Sequence, residues 1–187
     1  MPRLVLASSS PRRRQLLAEH GYDFTVAPAD VEEIAPAHFT PREVVLWNAR
    51  SKAHTIAREH PNEIVLGVDT LVAFDGRIFG KPRDMAEAFA MVSELNGRHH
   101  EVFSGVCLVR AASRKEHTFA EVTRVHFRRL TAPQLSAYLA RIGPLDKAGA
   151  YAAQDDRGEL IDRVEGSFTN VIGLPMEALA VRLRAFA

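Results

Sequence analysis

Cysteine, charge of one sign and long apolar runs are all scarce in this chain of 187 residues, and each shortage excludes a class of protein. A lone cysteine, Cys107, rules out a disulfide within the chain and fits a reducing compartment. It lies in an apolar strand pattern, which reads as core rather than as a nucleophile. With 24 basic and 23 acidic residues the net charge is +1, so the chain lacks the general cationic field that holds nucleic acid or anionic lipid. Any anion site must be local. The first apolar run, Leu4-Val5-Leu6-Ala7, stops at Ser8, too short for a signal peptide, and no later run nears the roughly 20 residues of a membrane span. The expectation is a cytoplasmic protein with no membrane or nucleic-acid partner. Cysteine and histidine do not recur at zinc spacing, no Walker-type glycine loop ends in lysine and serine, and no serine and histidine form a recognisable elbow. No repeat, low-complexity tract or linker interrupts the text, so residues 1–187 are expected to form a single domain, with two lobes around a cleft as a variant.

What is present centres on the first fourteen residues. The apolar run reads as a buried strand, Ser8-Ser9-Ser10 as a tight loop, and Pro11 as the first residue of a helix for which Ser10 is a good N-cap. Arg12, Arg13 and Arg14 then fall where a helix carries partial positive charge, which is locally unfavourable. An anion reverses that sign, because free N–H groups, serine hydroxyls and guanidinium forks all suit phosphate. Two readings follow, an oxyanion site or an ordinary capped helix with solvated arginines.

Along the chain, helix one is expected over Pro11 to His20 and a strand at Phe24-Thr25-Val26, followed by the acidic turn Asp30-Val31-Glu32-Glu33. Thr40-Pro41-Arg42-Glu43 is a capping box that opens a helix running to about Glu59. Its stripe at Val45, Ala49 and Ile56 has the spacing of a buried face, and Lys52 lies in the same row, where it either snorkels or reaches a site. Ile64 to Phe74 reads as a strand covered on both faces, Asp75-Gly76 as a type I′ hairpin turn, and Arg77-Ile78-Phe79 as the return strand. Asp84 caps a helix that closes near Asn96-Gly97. Two strands, Val102 to Val109 and His117 to Phe127, suggest an antiparallel pair, and Thr131 to Gly143 brackets another helix. From Asp146 to Gly158 small residues follow no period, which reads as a functional loop. A strand at Leu160 to Val164, a turn at Glu165-Gly166-Ser167 and a helix from Pro175 to Phe186 complete the chain. Early alternation of strand and helix with later antiparallel pairing predicts an α/β fold with a mixed sheet flanked by helices.

Asp69 is a carboxylate inside an apolar strand, so it must be hydrogen-bonded, metal-bound or at a cleft; a base, a ligand and a purely structural aspartate all remain open. Glu33, with Asp30 and Glu32, supplies oxygen of the kind Mg²⁺ or Mn²⁺ takes, though an acidic turn is also an ordinary solvated feature. Together the Ser/Arg loop, Lys52, Lys81 and the acidic residues describe a site for a polyphosphate with a divalent metal.

The motifs Ser8-Ser9-Ser10-Pro11-Arg12-Arg13, Glu33, Ala49-Arg50-Ser51-Lys52-Ala53, Gly67-Val68-Asp69-Thr70, Gly80-Lys81-Pro82, Asp146 to Tyr151 with Gln154, and Gly166-Ser167-Phe168 with Gly173-Leu174-Pro175 occur in one order across essentially the whole chain. In that order and spacing they closely resemble the Maf family of nucleoside triphosphate pyrophosphatases. The resemblance implies an elongated, twisted mixed sheet like that of inosine triphosphatases, two lobes around a cleft, a homodimer, and metal-dependent hydrolysis of a nucleoside triphosphate to monophosphate and pyrophosphate as house-cleaning of nucleotide pools. By motif match Asp69 accepts the proton of the attacking water, and Glu33 with Asp69 holds Mg²⁺ or Mn²⁺. Ser8, Ser10 and Arg13 line the phosphate site, and Lys52 and Lys81 neutralise the triphosphate. Arg12, Thr70 and Gln154 match the branch acting on dTTP and UTP, with modified pyrimidine nucleotides as further substrates. Where the family often has a glycine and a bulky aliphatic before that glutamine and a glycine after it, this chain has Ala152-Ala153 and Asp155-Asp156. The extra carboxylates are expected to alter base selectivity or add metal affinity. Competing readings are a pyrophosphatase for other modified nucleotides such as 7-methyl-GTP, a non-catalytic nucleotide-binding regulator of cell division, and a nucleic-acid binder through the arginine cluster, which the balanced charge disfavours.

Overall fold

The computed structural model describes residues 3–186. Among them, the strands are β1 (Leu4–Leu6), β2 (Phe24–Val26), β3 (Ile64–Phe74), β4 (Arg77–Phe79), β5 (His99–Arg110), β6 (Lys115–Phe127) and β7 (Ile161–Glu165). The helices are α1 (Pro11–Glu19), α2 (Pro41–Ala57), α3 (Met85–Leu95), α4 (Ala132–Ile142), α5 (Phe168–Ile172) and α6 (Met176–Phe186). The sheet runs β2-β1-β3-β5-β6-β7, with β4 paired to β3. β1 lies parallel to both β2 and β3, whereas β4 on β3 and β7 on β6 are antiparallel, so the sheet is mixed as the alternation of elements predicts. No helix of the described residues is long and apolar enough to cross a membrane.

The chain divides into two compact units. The first comprises the residues up to Thr70, Ser104–Glu121, and those from Gly173 onward; the second comprises Leu71–Phe103 and Val122–Ile172. In the first unit, Val5, Val65, Cys107 and Val109 pack with Ala49, Ala53 and Ile56 of α2. The strand residues are apolar in unbroken runs because both faces are covered. α2 sits very close to them: a Cβ on Gly67 of β3 would lie 2.1 Å from the Ala49 carbonyl oxygen, and one on Gly105 of β5 would lie 2.2 Å from that of Val45. Only glycine allows this approach. At its start the expected capping box is formed, with the Thr40 N–H donating to Glu43 Oε2 at 2.7 Å and the Glu43 N–H to Thr40 Oγ1 at 3.3 Å. Burial pushes the Cys107 thiol up to about 12, which leaves it a protonated core residue at neutral pH.

In the second unit α3 and α4 pack on a core that includes Val92, Leu95, Phe127, Leu135, Tyr138 and Leu139. Asp75 and Gly76 both take positive φ, 49° and 73°, as a type I′ turn requires. Asp84 caps α3 by accepting the Glu87 N–H at 2.8 Å.

The structure departs from the sequence reading at several points. Ser10 occupies the N-cap position of α1 without a side-chain cap; its N–H instead donates to Ser8 Oγ at 3.3 Å. Residues 146–158, read as a functional loop without period, form a packed segment. They fold with Pro144 into short 3₁₀ turns, Pro144–Asp146, Ala148–Ala150 and Ala153–Asp155, and bury Ala150, Tyr151 and Ala152 in the core. Their small side chains allow close packing, and Gly149, at φ 70°, leaves no room for a Cβ beside Val72. Asp156 is buried, and its Oδ1 and Oδ2 accept the N–H groups of Leu160 and Ile161 at 3.0 Å each, so this carboxylate closes a turn. β5 begins at His99 instead of Val102, since His100 is carried into the core against Phe127 and Tyr151 with its Nε2 2.9 Å from the tyrosine hydroxyl. After the expected turn a short helix, α5, is added, its first turn closed by the Asn170 N–H donating to Ser167 Oγ at 3.0 Å. α2 ends at Ala57 rather than Glu59, and β7 is displaced by one residue from the expected span.

Two predictions concern stability. Gly67→Ala forces α2 off the sheet and is expected to cost about 2–3 kcal/mol, seen as a lower urea midpoint; an unchanged midpoint would mean that α2 can shift without loss. Burial, aided by the charges of His99 and His126, drives the His100 imidazole from 6.5 down to about 3. The native state therefore refuses a proton that the unfolded chain takes up. His100 contributes stability that is complete above its unfolded value of 6.5 and falls by about 1.4 kcal/mol per pH unit on acidification towards 3. Urea unfolding of the wild type and His100→Gln over that range should show the steeper acid loss in the wild type, and parallel slopes would place the titrating group elsewhere.

Candidate active site

β3 delivers Asp69 and α2 delivers its partners. Asn48 and Lys52 are one helical turn apart and so share a face, the face that Gly67 draws onto the strand. Asn48, Lys52 and Asp69 are 3%, 7% and 6% exposed, so their polar atoms must be satisfied by protein. Lys52 Nζ donates to Asp69 Oδ1 at 2.8 Å and to the Val68 carbonyl at 3.3 Å, and pairs with Glu33 Oε1 at 2.6 Å. Asn48 Nδ2 donates to Asp69 Oδ2 at 3.1 Å and to the Ile34 carbonyl at 3.1 Å, while the Ile34 N–H donates to Asn48 Oδ1 at 3.0 Å. Two carboxylates thus converge on a single ammonium, one of them buried and the other, Glu33, exposed.

The Ser/Arg loop forms a second cluster in the same unit. Arg13 donates from Nε to the Gly173 carbonyl at 2.9 Å, from Nη1 to Ser8 Oγ at 2.9 Å and from Nη2 to Thr70 Oγ1 at 3.1 Å. Thr70 Oγ1 in turn donates to the Gly173 carbonyl at 3.2 Å and lies 2.9 Å from Ser104 Oγ. Three of the five guanidinium N–H bonds are therefore committed to protein oxygens among the described residues, which fixes the fork. Burial lowers the Arg13 pKa from its ordinary value, an effect opposed first by the charge of Asp69 and then by that of Glu33. The arginine that looked misplaced on the helix is in the field of the two carboxylates.

Of the site residues expected from sequence, Ser8, Ser10, Arg12, Arg13, Glu33, Lys52, Asp69 and Thr70 all belong to the first unit. Ser8 links Ser10 and Arg13, Thr70 joins them through Arg13, and Glu33, Lys52 and Asp69 form the ionic cluster. Lys81 and Gln154 belong to the second unit, where both are exposed. Lys81 follows β4 beside Gly80, whose carbonyl accepts the Gly149 N–H at 3.0 Å, and Gln154 sits in the turn Ala153–Asp155. Sequence reasoning missed Asn48 and Ser104. Asn48 left a signal, a polar residue four positions before Lys52 on an otherwise apolar stripe; Ser104 left none, because a serine within a strand is commonplace. Among the described residues no group of three or more His, Cys, Asp or Glu is placed to hold a metal ion.

With this geometry in view, comparison with known proteins places the chain. The Maf-like protein family model matches residues 3–186, and the chain belongs to that family. It is 49% identical over 183 residues to the dTTP/UTP pyrophosphatase of Myxococcus xanthus, covering 97% of this chain and 92% of that protein. It is 43% identical to the dTTP/UTP pyrophosphatase of Pelotomaculum thermopropionicum, covering 100% of this chain and 97% of the relative. Among solved structures the Staphylococcus aureus Ham1 protein superposes with a TM-score of 0.56 at 15% identity over 98% of both chains, a likeness of fold.

Lys52→Met would leave Asp69 buried without its counter-charge, and the expected cost is about 3–5 kcal/mol in urea unfolding. Lys52→Met combined with Asp69→Leu should recover part of that loss. A single-variant loss below about 1 kcal/mol would mean that water screens the pair.

Proposed function

We propose that this protein hydrolyses nucleoside triphosphates, dTTP and UTP foremost, to the monophosphate and pyrophosphate, clearing unwanted nucleotides from the cellular pool. The observation that carries the reading is the buried Lys52–Asp69 pair with Glu33 on the same ammonium. The family to which the chain belongs, and its relatives that are dTTP/UTP pyrophosphatases, support the same reading. The reaction breaks the anhydride bond between the α and β phosphates and adds one water, whose oxygen ends on phosphorus. Water is a weak nucleophile at neutral pH, so the site must take its proton as the bond forms. Asp69 is the acceptor in this proposal. Each of its oxygens receives one protein hydrogen bond and retains a lone pair, so the carboxylate is both oriented and able to accept.

The donor set fits a small divalent cation such as Mg²⁺, which is commonly held by one or two carboxylates together with substrate phosphates rather than by an all-protein cage. Glu33 and Asp69 would hold it. When bound, the cation supplies positive charge against the phosphate oxygens. Arg13, with two N–H bonds uncommitted among the described residues, and the exposed Lys81 after β4 are proposed to supply positive charge for the triphosphate. Arg12, Thr70 and Gln154 are proposed to set base preference. Asp156 is removed from that role by its two turn-closing hydrogen bonds, which leaves Asp155 as the exposed carboxylate beside Gln154.

The deciding experiment is pyrophosphate release with Mg²⁺ or Mn²⁺ across a panel of common and modified nucleoside triphosphates. Release should be fastest from dTTP and UTP, and Asp69→Asn should lower kcat by about 10²-fold or more while the protein remains folded. Faster release from 7-methyl-GTP would overturn the specificity. Nucleotide-dependent stabilisation without release from any substrate would make the protein a nucleotide-binding regulator.

A further inference from the structure

Asn48 is a buried amide on a stretch of α2 whose other buried residues nearby are Val44, Val45, Ala49, Ala53 and the site lysine Lys52. A leucine would fill this place without needing partners. The asparagine instead commits both of its donors and its oxygen: Oδ1 accepts the Ile34 N–H, and the two N–H bonds of Nδ2 go to the Ile34 carbonyl and to Asp69 Oδ2. These contacts fix which way the amide faces, because a flipped Asn48 would set its carbonyl oxygen against the Asp69 carboxylate and its N–H bonds against the Ile34 N–H. A closed ring results. Asp69 is held by Asn48 at one oxygen and Lys52 at the other, Asn48 grips the backbone of Ile34, and Lys52 pairs with Glu33, the residue just before Ile34.

We infer that Asn48 is a positioning residue that sets the rotation of the Asp69 carboxylate and anchors the Glu33 segment beside it, so that the two carboxylates meet a divalent cation as one preorganised unit. This rests on the hydrolytic reading above. The chemistry favours a neutral amide for the task. A second lysine at this position would compete with the cation, and a third carboxylate would repel Asp69, whereas an amide directs Oδ2 without changing the charge of the site. The i,i+4 spacing of Asn48 and Lys52 lets one helical face grip both oxygens of one carboxylate.

The test uses the full chain with Asn48→Leu and Asn48→Asp, read in four ways: kcat and KM for dTTP, Mn²⁺ affinity without nucleotide, and exchange of the Ile34 amide hydrogen. Removing an outer partner of this kind commonly costs 10–100-fold. Asn48→Leu should lower kcat by about 10-fold or more with KM within about twofold, weaken Mn²⁺ binding several-fold, and speed Ile34 exchange. Asn48→Asp keeps an acceptor for the Ile34 N–H but loses both donors, to Asp69 and to the Ile34 carbonyl, and sets a like charge beside Asp69, so the Ile34 N–H should stay protected while kcat falls. Asn48→Ser, small and neutral, serves as the working variant if Asn48→Leu does not fold. Fast Ile34 exchange with wild-type kcat and Mn²⁺ affinity would reduce Asn48 to a structural clamp and overturn the inference, as would wild-type kcat in Asn48→Asp. If the wild type released no pyrophosphate from any nucleotide, the hydrolytic reading would fail, and Mn²⁺ affinity and Ile34 exchange would still decide whether Asn48 couples the two carboxylates.

Discussion

Helix α2 reaches the sheet because Gly67 and Gly105 present no side chain to it, and the chemistry of the first unit depends on that approach. A helix carried on larger side chains would stand further from β3, and neither Asn48 nor Lys52 would span the gap to Asp69 in the same geometry. The close seating also explains the small residues on the helix side, Ala49 and Ala53, whose backbone is the surface that meets the strand. Packing density and site geometry are here the same constraint. Shape complementarity at the helix and sheet contact fixes the separation of a carboxylate and an ammonium to hydrogen-bond length.

A buried ion pair is by itself weak support for stability, since the cost of removing two charges from water can exceed their attraction. The value of the Lys52–Asp69 pair lies in position. Its members are braced by neutral groups, the Val68 carbonyl on one side and the Asn48 amide on the other, and Glu33 brings a second carboxylate to the exposed side of the same ammonium. The Arg13 cluster follows the same logic. Its guanidinium binds Ser8, Thr70 and Gly173, which draws an N-terminal loop, a strand residue and the approach to α6 to one point before any ligand arrives. Groups held in this way do not need to reorganise when an anion binds, and electrostatic stabilisation is effective in proportion to that preparation.

The second unit solves a different problem. His100, Phe127 and Tyr151 meet edge to face with ring centroids 4.7 to 5.2 Å apart, and the imidazole shares a hydrogen bond with the buried phenol. Around this cluster the segment 144–156 is wound into short turns: the N–H groups of Lys147, Ala150, Asp155 and Asp156 donate within it, that of Gly149 to the Gly80 carbonyl and that of Ala152 to the Tyr138 hydroxyl. A stretch that lacks periodicity is therefore structured by packing, and it leaves Gln154 and Asp155 outward while the residues around them are covered.

Much of this was legible in the chain. Thr40 with Glu43, Asp84 with Glu87 and Asp75-Gly76 mark their caps and turn because each is a contact between residues a few positions apart, encoded locally. Unbroken apolar runs identified β1 as a buried strand and β3 as one covered on both faces, and a carboxylate inside the second run marked Asp69. The lysine on the apolar stripe of α2 announced a choice between snorkelling to solvent and turning inward, and the tertiary contact turns it inward onto Asp69 and Glu33. The sequence could not assign Asn48 or Ser104, the fork of Arg13, the structural use of Asp156 or the core position of His100. Asp156 closes a turn with partners 4 and 5 residues on that no standard turn signal marks; the others depend on partners 14 to 160 residues apart in the chain or on a burial that no local pattern encodes. The sequence by itself determined which segments become strand or helix and which residue types are available for phosphate and cation chemistry, because caps, turns and periodicity act over a few residues. The tertiary structure decided which of those residues face one another, because hydrogen-bond geometry between distant segments is set only when the sheet forms and α2 closes on its glycines.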